Sequence, residues 1–157
     1  MNGNTEVETT DGGPLTPEVR HVDREAEIRV CYDVMRQLRP HLHSEQDFVA
    51  RWQRQANAGY RLLAVWHGAK PLALAGYRIQ DNLMHGAHLY VDDLVTDAVH
   101  RGEGHGRVLM QRLQAEGRAR GCGKLVLDTA LANTLAHRFY YRQGLLATAL
   151  RFNIPLA

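Results

Sequence analysis

Apolar residues recur along the chain with two spacings, and these spacings predict the order of helices and strands. Apolar positions at helical spacing follow Asp23 and Ser44, two residue types that cap helix N-termini, and Pro40 ends the first of these helices. Two apolar runs, 60–67 and 71–80, are separated by a short glycine-containing turn. This arrangement predicts two helices followed by a β-hairpin.

A strand–helix–strand unit follows the hairpin. The pattern predicts a third antiparallel strand at 88–96, a helix from Gly104 to about Arg120, and a strand at 124–128. Short joints make this unit a right-handed crossover, which sets its two strands parallel and adjacent. We therefore expect an α/β fold of the α+β mixed-sheet type, in which an antiparallel meander precedes a β-α-β crossover and helices cover both faces.

The two ends of the chain differ in character. Residues 1–16 are polar, acidic and broken by glycine and proline, which predicts a disordered tail, so the folded domain is expected to span 17–157. A short strand at 18–22 is expected to open this domain. After a last helix at 133–144, the apolar segment 145–156 predicts a final strand or pair of strands.

Composition narrows the class of protein. A chain of 157 residues suits one domain with its own core. It has no apolar run near 18 residues and no secretory signal, so neither a membrane span nor export is expected. Cys31 and Cys122 form neither a disulfide framework nor a metal-binding spacing, which favours a reduced, cytoplasmic protein. The net charge is +2, and the basic body that follows the acidic tail could attract a phosphorylated ligand, but the scattered arginines argue against a nucleic-acid partner.

The strongest chemical signal lies between the third strand and the helix that follows it. Here Arg101 precedes Gly102, Gly104 and Gly106, and glycine at every second position lets backbone N–H groups turn toward a ligand. The helix that starts behind them adds its own unpaired N–H groups and the positive end of its dipole. The spacing matches neither the dinucleotide-binding fingerprint nor a P-loop. It predicts a seat for the phosphates of a cofactor.

Two motifs together resemble the GNAT superfamily of N-acetyltransferases. The segment RGEGHG, which starts at Arg101, resembles the family's coenzyme-binding motif R-x-x-G-x-G. The segment NTLAHRFYYRQG, from Asn133 to Gly144, is similar to the family's closing motif. Both segments stand in the family's order and distance, and the resemblance covers roughly residues 18–155. The family's motif ends in Gly-Phe, whereas Leu145 follows Gly144 here, a difference that concerns packing.

The resemblance implies acetyl-CoA as the cosubstrate. In the family the pantetheine arm lies between two strands that separate at their ends, here 89–96 and 124–128, while the glycine-rich loop holds the pyrophosphate. The residues expected to bind the coenzyme are Leu94, Val95, Thr96, Arg101, Gly102, Glu103, Gly104, His105, Gly106, Arg107, Asn133, Ala136, Phe139 and Tyr140. No metal is expected, because no standard metal-site spacing fits His41, His43, His85 and His88.

Three side chains are candidates for catalysis. Acetyl transfer to an amine requires a base that deprotonates the amine and an acid that protonates the departing thiolate. Tyr140 matches the position of the family's proton donor. Asp92 and Asp93 are the candidate bases, and because side chains alternate along a strand we expect one carboxylate on each face. Asp92 falls where many relatives carry an acid; a water chain in place of one base is the alternative.

The sequence therefore predicts an enzyme, an acetyl-CoA-dependent N-acetyltransferase that acts by direct attack in a ternary complex. Its expected partners are acetyl-CoA and a primary amine of a small molecule or peptide, with no nucleic acid and no membrane. A homodimer is a further expectation from the family. Two alternatives are a non-catalytic acyl-CoA-binding sensor or interaction module and a nucleotide-binding transferase. The presence of Tyr140 with Asp92 and Asp93 favours the enzyme over the module.

Overall fold

The computed structural model describes residues 16–157, so the predicted tail lies almost wholly outside the described residues. The strands are β1 Glu18–His21, β2 Arg61–His67, β3 Lys70–Asn82, β4 Gly86–Thr96 and β5 Lys124–Leu127. The helices are α1 Glu25–Leu38, α2 Glu45–Asn57, α3 His105–Ala119 and α4 Thr134–Arg142. A short 3-10 turn, Ala98–His100, follows β4. None of the helices in residues 16–157 is long and apolar enough to cross a bilayer.

All five strands form one sheet in the order β1-β2-β3-β4-β5. The first four strands pair antiparallel in sequence order. The last pair, β4 with β5, is parallel and is joined through α3. The predicted antiparallel meander followed by a β-α-β crossover is therefore confirmed.

Helices cover both faces of the sheet, as predicted, and each face has its own core. One core lies under α1 and α2, where Ile28, Cys31 and Phe48 pack against Leu62 and Leu74. The other core lies under α3; its fully buried members include Leu63, Tyr77, Leu89, Leu109, Met110 and Leu113. Because Cys31 is buried in the first core, desolvation raises the pKa of its thiol to about 12, which keeps it protonated and unreactive.

The two predicted helix caps had different outcomes. Ser44 caps α2, because its Oγ accepts a hydrogen bond from the Asp47 backbone N–H at 3.1 Å. The prediction for Asp23 is wrong: Arg24 is the N-cap residue of α1, and no side chain caps that end. The Glu27 carboxylate in the first turn stabilises this end of the helix dipole instead. Arg20 and Arg24 hold it by hydrogen bonds of 2.7 and 2.8 Å.

The predicted strand or strands at 145–156 are absent from the described structure. No residue from 146 to 157 takes part in a helix, a strand or a backbone hydrogen bond. Arg151 instead contacts the Asp128 carboxylate beyond β5 and donates to the Tyr90 hydroxyl at 2.8 Å. Side-chain contacts thus hold this segment in place of the expected strand pairing, and within residues 16–157 no strand pairs with the outer side of β5.

Candidate active site

The sheet opens at the carboxyl end of β4. The parallel ladder with β5 runs from His88↔Lys124 to Val91↔Leu127 and stops there. β4 continues to Thr96, paired only with β3 on its other side. Backbone groups of a strand point alternately to its two sides, so the stretch Leu94–Thr96 presents amide and carbonyl groups toward the open side. This opening is the strand gap that the sequence predicted.

A β-bulge in β4 changes the expected placement of the two acids. Gly76 pairs with Asp93 and Tyr77 with Val91, so that Asp92 stands opposite no residue of β3. The extra residue shifts the alternation of side chains by one position. Both carboxylates therefore line the same cleft. The prediction that they lie on opposite faces is wrong, because it assumed a regular strand.

Asp93 is held by the partly exposed Arg39 and the buried Tyr60. Its Oδ1 accepts from Arg39 Nε at 2.7 Å, and its Oδ2 accepts from the Tyr60 hydroxyl at 2.8 Å. Burial, reinforced by the Asp93 charge, raises the pKa of Tyr60 well above its usual value, so Tyr60 remains a donor. Arg39 also donates to the Asp92 carbonyl at 2.7 Å. Both carboxylate oxygens of Asp93 thus accept hydrogen bonds that fix the bulge. These contacts suit a role for Asp93 in positioning the backbone of β4.

Asp92 is the less constrained of the two acids. Its Oδ2 accepts from Arg78 Nε at 3.1 Å, whereas its Oδ1 has no hydrogen-bond donor among residues 16–157. Burial raises the pKa of this carboxyl, and the Arg78 guanidinium partly offsets that effect. A carboxylate with one unpaired oxygen and a raised pKa has the properties of a general base. The structure therefore favours Asp92 over Asp93 for that role.

The cleft beside these acids has a volume of about 330 Å³. Its walls come from α1, the α1–α2 linker, α2 and β4, so the helices that cover this face of the sheet also enclose the cleft. The lining residues are Met35, Arg39, His41, Leu42, Phe48, Arg51, Trp52, Gln55, Tyr60, Tyr90, Asp92, Asp93 and Arg151. Apolar and aromatic side chains share this lining with charged and polar ones, so the cleft suits a small molecule that carries both apolar and polar groups.

The glycine loop, residues 101–107, has the geometry of an anion site. Gly102 and Gly104 adopt φ values of +84° and +89°, which side chains rarely tolerate. No backbone N–H from 101 to 107 has a hydrogen-bond acceptor within residues 16–157. The Arg101 and Arg107 side chains are exposed and form no ion pair in that part of the chain. A row of unpaired N–H groups at the start of α3, flanked by two guanidinium groups, suits a phosphate ligand.

Three residues predicted to bind the coenzyme, Thr96, Gly106 and Phe139, lie close together at the glycine loop. A Cβ added to Gly106 would lie 3.2 Å from the Phe139 ring of α4 and 3.9 Å from Thr96 Oγ1 of β4. Gly106 is therefore required for close approach of α4 and not for a positive φ. Its position brings together the end of β4, the glycine loop and α4.

The closing motif mixes structural and candidate functional residues. Asn133 caps α4, since its side chain accepts from the Ala136 N–H at 3.2 Å. Tyr140 is half-buried beside Phe139, and burial raises the pKa of its phenol. Tyr140 does not line the 330 Å³ cleft that holds Asp92. The structure thus brings the two acids together in one cleft and leaves Tyr140 outside it.

Sequence reasoning missed the residues that hold the acids in place. Arg39, Tyr60 and Arg78 belong to three different elements, and no local motif connects them. One signal was available: Gly76 interrupts an apolar strand, which often marks a close approach. A Cβ at Gly76 would lie 1.9 Å from the Tyr60 hydroxyl oxygen.

Comparison with known proteins adds family evidence. The model of the Acetyltransferase (GNAT) family matches residues 27–145. The uncharacterized N-acetyltransferase YhdJ of Bacillus subtilis (strain 168) is 33% identical over 112 residues, which is 69% of this chain and 77% of YhdJ. This chain is thus similar to YhdJ over most of both proteins.

Two solved structures share the fold. The aminoglycoside N-acetyltransferase AAC(6')-Iy in complex with CoA has a TM-score of 0.80 and 16% identity, and the match covers 93% of this chain and 99% of that one. Glucosamine-6-phosphate N-acetyltransferase from Arabidopsis thaliana has a TM-score of 0.71 and 18% identity, with 90% and 99% covered. At these identities the likeness concerns the arrangement of helices and strands.

The contact between Gly76 and Tyr60 gives a first prediction. Gly76→Ala forces the Tyr60 hydroxyl away from Asp93, and overpacking of this kind should lower the free energy of unfolding by about 1–3 kcal/mol. Urea unfolding measures the change. Gly123→Ala is the matched control, because the nearest atom to its added Cβ is 4.0 Å away. Equal stability of the two variants would contradict the role assigned to Gly76.

Proposed function

Because the chain belongs to the GNAT family of acetyltransferases, and is thus an acetyl-CoA-dependent acyltransferase, we propose that it acetylates a primary amine of a small molecule or peptide. The amine attacks the thioester directly in a ternary complex of enzyme, acetyl-CoA and acceptor. No acyl-enzyme intermediate is needed, because the described cleft provides a base beside an open strand edge. Relatives named for aminoglycoside and glucosamine-6-phosphate acetylation support an amine as the acceptor.

The glycine loop carries this proposal. Its consecutive unpaired N–H groups and its two unpaired arginines are suited to the pyrophosphate of acetyl-CoA. The coenzyme-binding residues would be those predicted from the sequence, from Leu94–Thr96, residues 101–107 and the first residues of α4. The contact of Gly106 with Phe139 supports this grouping.

The open side of β4 supports a place for the pantetheine arm. An extended chain beside Leu94–Thr96 would hydrogen-bond the strand as β5 does further back. One N–H of this stretch would also polarise the thioester carbonyl. A donor of that kind is worth about 2.7–4 kcal/mol in the transition state.

Proton transfer completes the proposed reaction. The Asp92 carboxylate takes a proton from the ammonium group of the acceptor, and the nitrogen lone pair then forms a bond to the acetyl carbon. When the tetrahedral intermediate collapses, the C–S bond breaks and its electron pair leaves with sulfur. Tyr140 gives its phenolic proton to that thiolate, and the second proton on the nitrogen, lost as the amide forms, restores the phenol. The raised pKa of Tyr140 keeps the phenol protonated at neutral pH, as an acid requires.

We also infer that the protein forms a homodimer. Five apolar side chains in the last segment are 67–97% exposed, namely Leu146, Leu150, Phe152, Ile154 and Leu156. Four of them alternate, as the residues on one face of a strand do, and β5 offers an unpaired sheet edge. A second copy of the chain would cover these side chains.

Mutation of the glycine loop tests coenzyme binding. Gly104→Val places a branched side chain at φ +89° and should abolish acetyl-CoA binding in a protein that still folds. Gly59→Val is the matched control, because Gly59 has φ +90° at the end of α2, far along the chain from the loop. Calorimetry on both variants separates lost binding from lost stability. Normal affinity in Gly104→Val would refute the assignment of the loop.

Removal of the Tyr140 hydroxyl tests the proton donor. Tyr140→Phe should lower turnover by about 10²-fold or more, with the affinity for acetyl-CoA nearly unchanged. Tyr141→Phe should retain full activity, because Tyr141 is 57% exposed. Thiol release over a panel of amines provides the measurement. An unaltered rate in Tyr140→Phe would remove this residue from the mechanism, and coenzyme binding without turnover on any amine would favour a non-catalytic module.

The pH profile tests the base. Since burial raises the pKa of Asp92, the wild-type rate should increase with pH through a midpoint above the usual aspartate value of about 3.9, as the carboxylate forms. Asp92→Asn should lower the rate and remove this part of the pH dependence. The ratio of turnover at several pH values in the two proteins is the readout. An unchanged profile would point to Asp93 or to water.

The dimer is tested by molar mass in solution. Wild-type protein should show twice the mass of one chain in light scattering, and Phe152→Asp should shift it toward the monomer. Leu83→Asp is the control, because Leu83 is also largely exposed but lies in the β3–β4 turn. A monomeric wild type, or a Phe152→Asp variant that remains dimeric, would overturn this inference.

A further inference from the structure

We propose that the glycine loop contains a binding site for a divalent transition metal of the zinc type, formed by His100, Glu103 and His105. We further propose that the metal and acetyl-CoA bind cooperatively, and this second step rests on the proposed function. From the sequence, Glu103 and His105 were expected to bind the coenzyme, and a metal was considered only at four other histidines. Within residues 16–157, no other three His, Cys, Asp or Glu side chains converge in the same way.

The distances between the ligand atoms suit one ion. His105 Nε2 lies 2.9 Å from Glu103 Oε2, and His100 Nδ1 lies 3.2 Å from the same oxygen. All three ligand atoms lie within 4.8 Å of one another. Ligand atoms around a tetrahedral zinc ion, each about 2.0–2.2 Å from the metal, are roughly 3.4 Å apart. The two nitrogen–oxygen separations are within about 0.5 Å of that value, and the two nitrogens, at most 4.8 Å apart, would have to approach by no more than about 1.4 Å to admit the ion.

The chemistry of the three side chains also suits zinc. Two imidazoles and one carboxylate form a known zinc ligand set that leaves a fourth position open. In the described structure both imidazole nitrogens face the Glu103 carboxylate, so each must carry a proton to donate to it. A metal ion would take the place of both protons. The three groups would then bind the ion instead of each other.

The Lys70 ammonium group lies next to the proposed metal site. Lys70 Nζ is 3.2 Å from His100 Nε2, on the side of the ring away from Glu103. Coordination through Nδ1 places the remaining ring proton on Nε2, so His100 can no longer accept from Lys70. Lys70 is exposed at the start of β3 and can turn toward solvent. Metal binding should accordingly displace the Lys70 ammonium group.

The positions of the ligands along the loop connect the metal to the coenzyme. His100 ends the 3-10 turn, Glu103 lies between the two glycines with positive φ, and His105 is the first residue of α3. The His105 side chain is only 9% exposed, so it anchors the site to the body of the protein. An ion bound to all three would fix the loop conformation that turns its N–H groups outward. A loop ordered in advance loses less conformational entropy when the coenzyme binds.

Metal binding alone is tested first. The full chain, freed of metal with EDTA, is titrated with Zn²⁺ by calorimetry and with Co²⁺ by absorption. We expect one equivalent, a four-coordinate Co²⁺ spectrum without a thiolate charge-transfer band, and at least tenfold weaker binding in His100→Gln and in Glu103→Gln. His67→Gln, which changes an exposed histidine at the end of β2, should bind as wild type. Equal affinity in all four proteins, or a thiolate band, would overturn the site.

Cooperativity is tested second, with acetyl-CoA because its sulfur is blocked. Saturating Zn²⁺ should tighten acetyl-CoA binding at least fivefold in the wild type and leave it unchanged in His100→Gln. The same acetyl-CoA affinity with and without Zn²⁺ in the wild type would overturn the coupling. One equivalent of Zn²⁺ with no acetyl-CoA binding under either condition would instead refute the proposed function and the coupling while the metal site stands.

Discussion

The structure depends on the point where β4 loses one of its two neighbours. Up to Val91 the strand is paired on both sides, and beyond it only β3 remains. Unpaired backbone groups at the end of a sheet are costly unless water or a ligand pairs with them. The glycine loop directly downstream has the same property, since its N–H groups also lack acceptors in the described chain. Residues 97–100, whose own N–H groups are hydrogen-bonded, separate these two stretches. Both stretches present backbone groups that an extended, phosphorylated coenzyme could pair with.

The bulge next to this opening determines what chemistry the site can perform. It adds one residue to β4 and so turns both Asp92 and Asp93 into the cleft. Two carboxylates that close repel each other, and the surrounding arginines and Tyr60 offset that repulsion. One acid is occupied by these partners, whereas the other keeps an unpaired oxygen. The division of roles between a fixed acid and a reactive acid follows from this asymmetry.

Much of the fold could be predicted from the sequence because its signals are local. The Ser44 cap, the hairpin and the crossover each depend on residues that are close in the chain, and all three are confirmed. The faces of Asp92 and Asp93 could not be predicted, because the bulge depends on Gly76 in β3 and on Tyr60 just before β2. The pattern of 145–156 indicated strands, yet pairing needs a partner strand that residues 16–157 do not provide.

In the candidate site, too, features that depend on neighbouring residues could be predicted and contacts between distant residues could not. The glycine loop and the closing motif were identified because both are short, regular patterns, and Gly106 and Phe139 do meet. The arginines that hold the acids come from the end of α1 and from β3. No residue spacing in the sequence indicates that they contact the acids. The convergence of His100, Glu103 and His105 depends on the left-handed backbone at Gly102 and Gly104, which brings the three side chains together. Their irregular spacing in the sequence gives no sign of this.

A crystal structure of the protein with acetyl-CoA is the most direct measurement of the central claim. We expect the pyrophosphate oxygens within about 3 Å of the backbone nitrogens of residues 102–107, and the pantetheine arm beside Leu94–Thr96 with the thioester toward Asp92. A coenzyme bound elsewhere, or a gap beyond Val91 closed by the protein's own side chains, would contradict the claim.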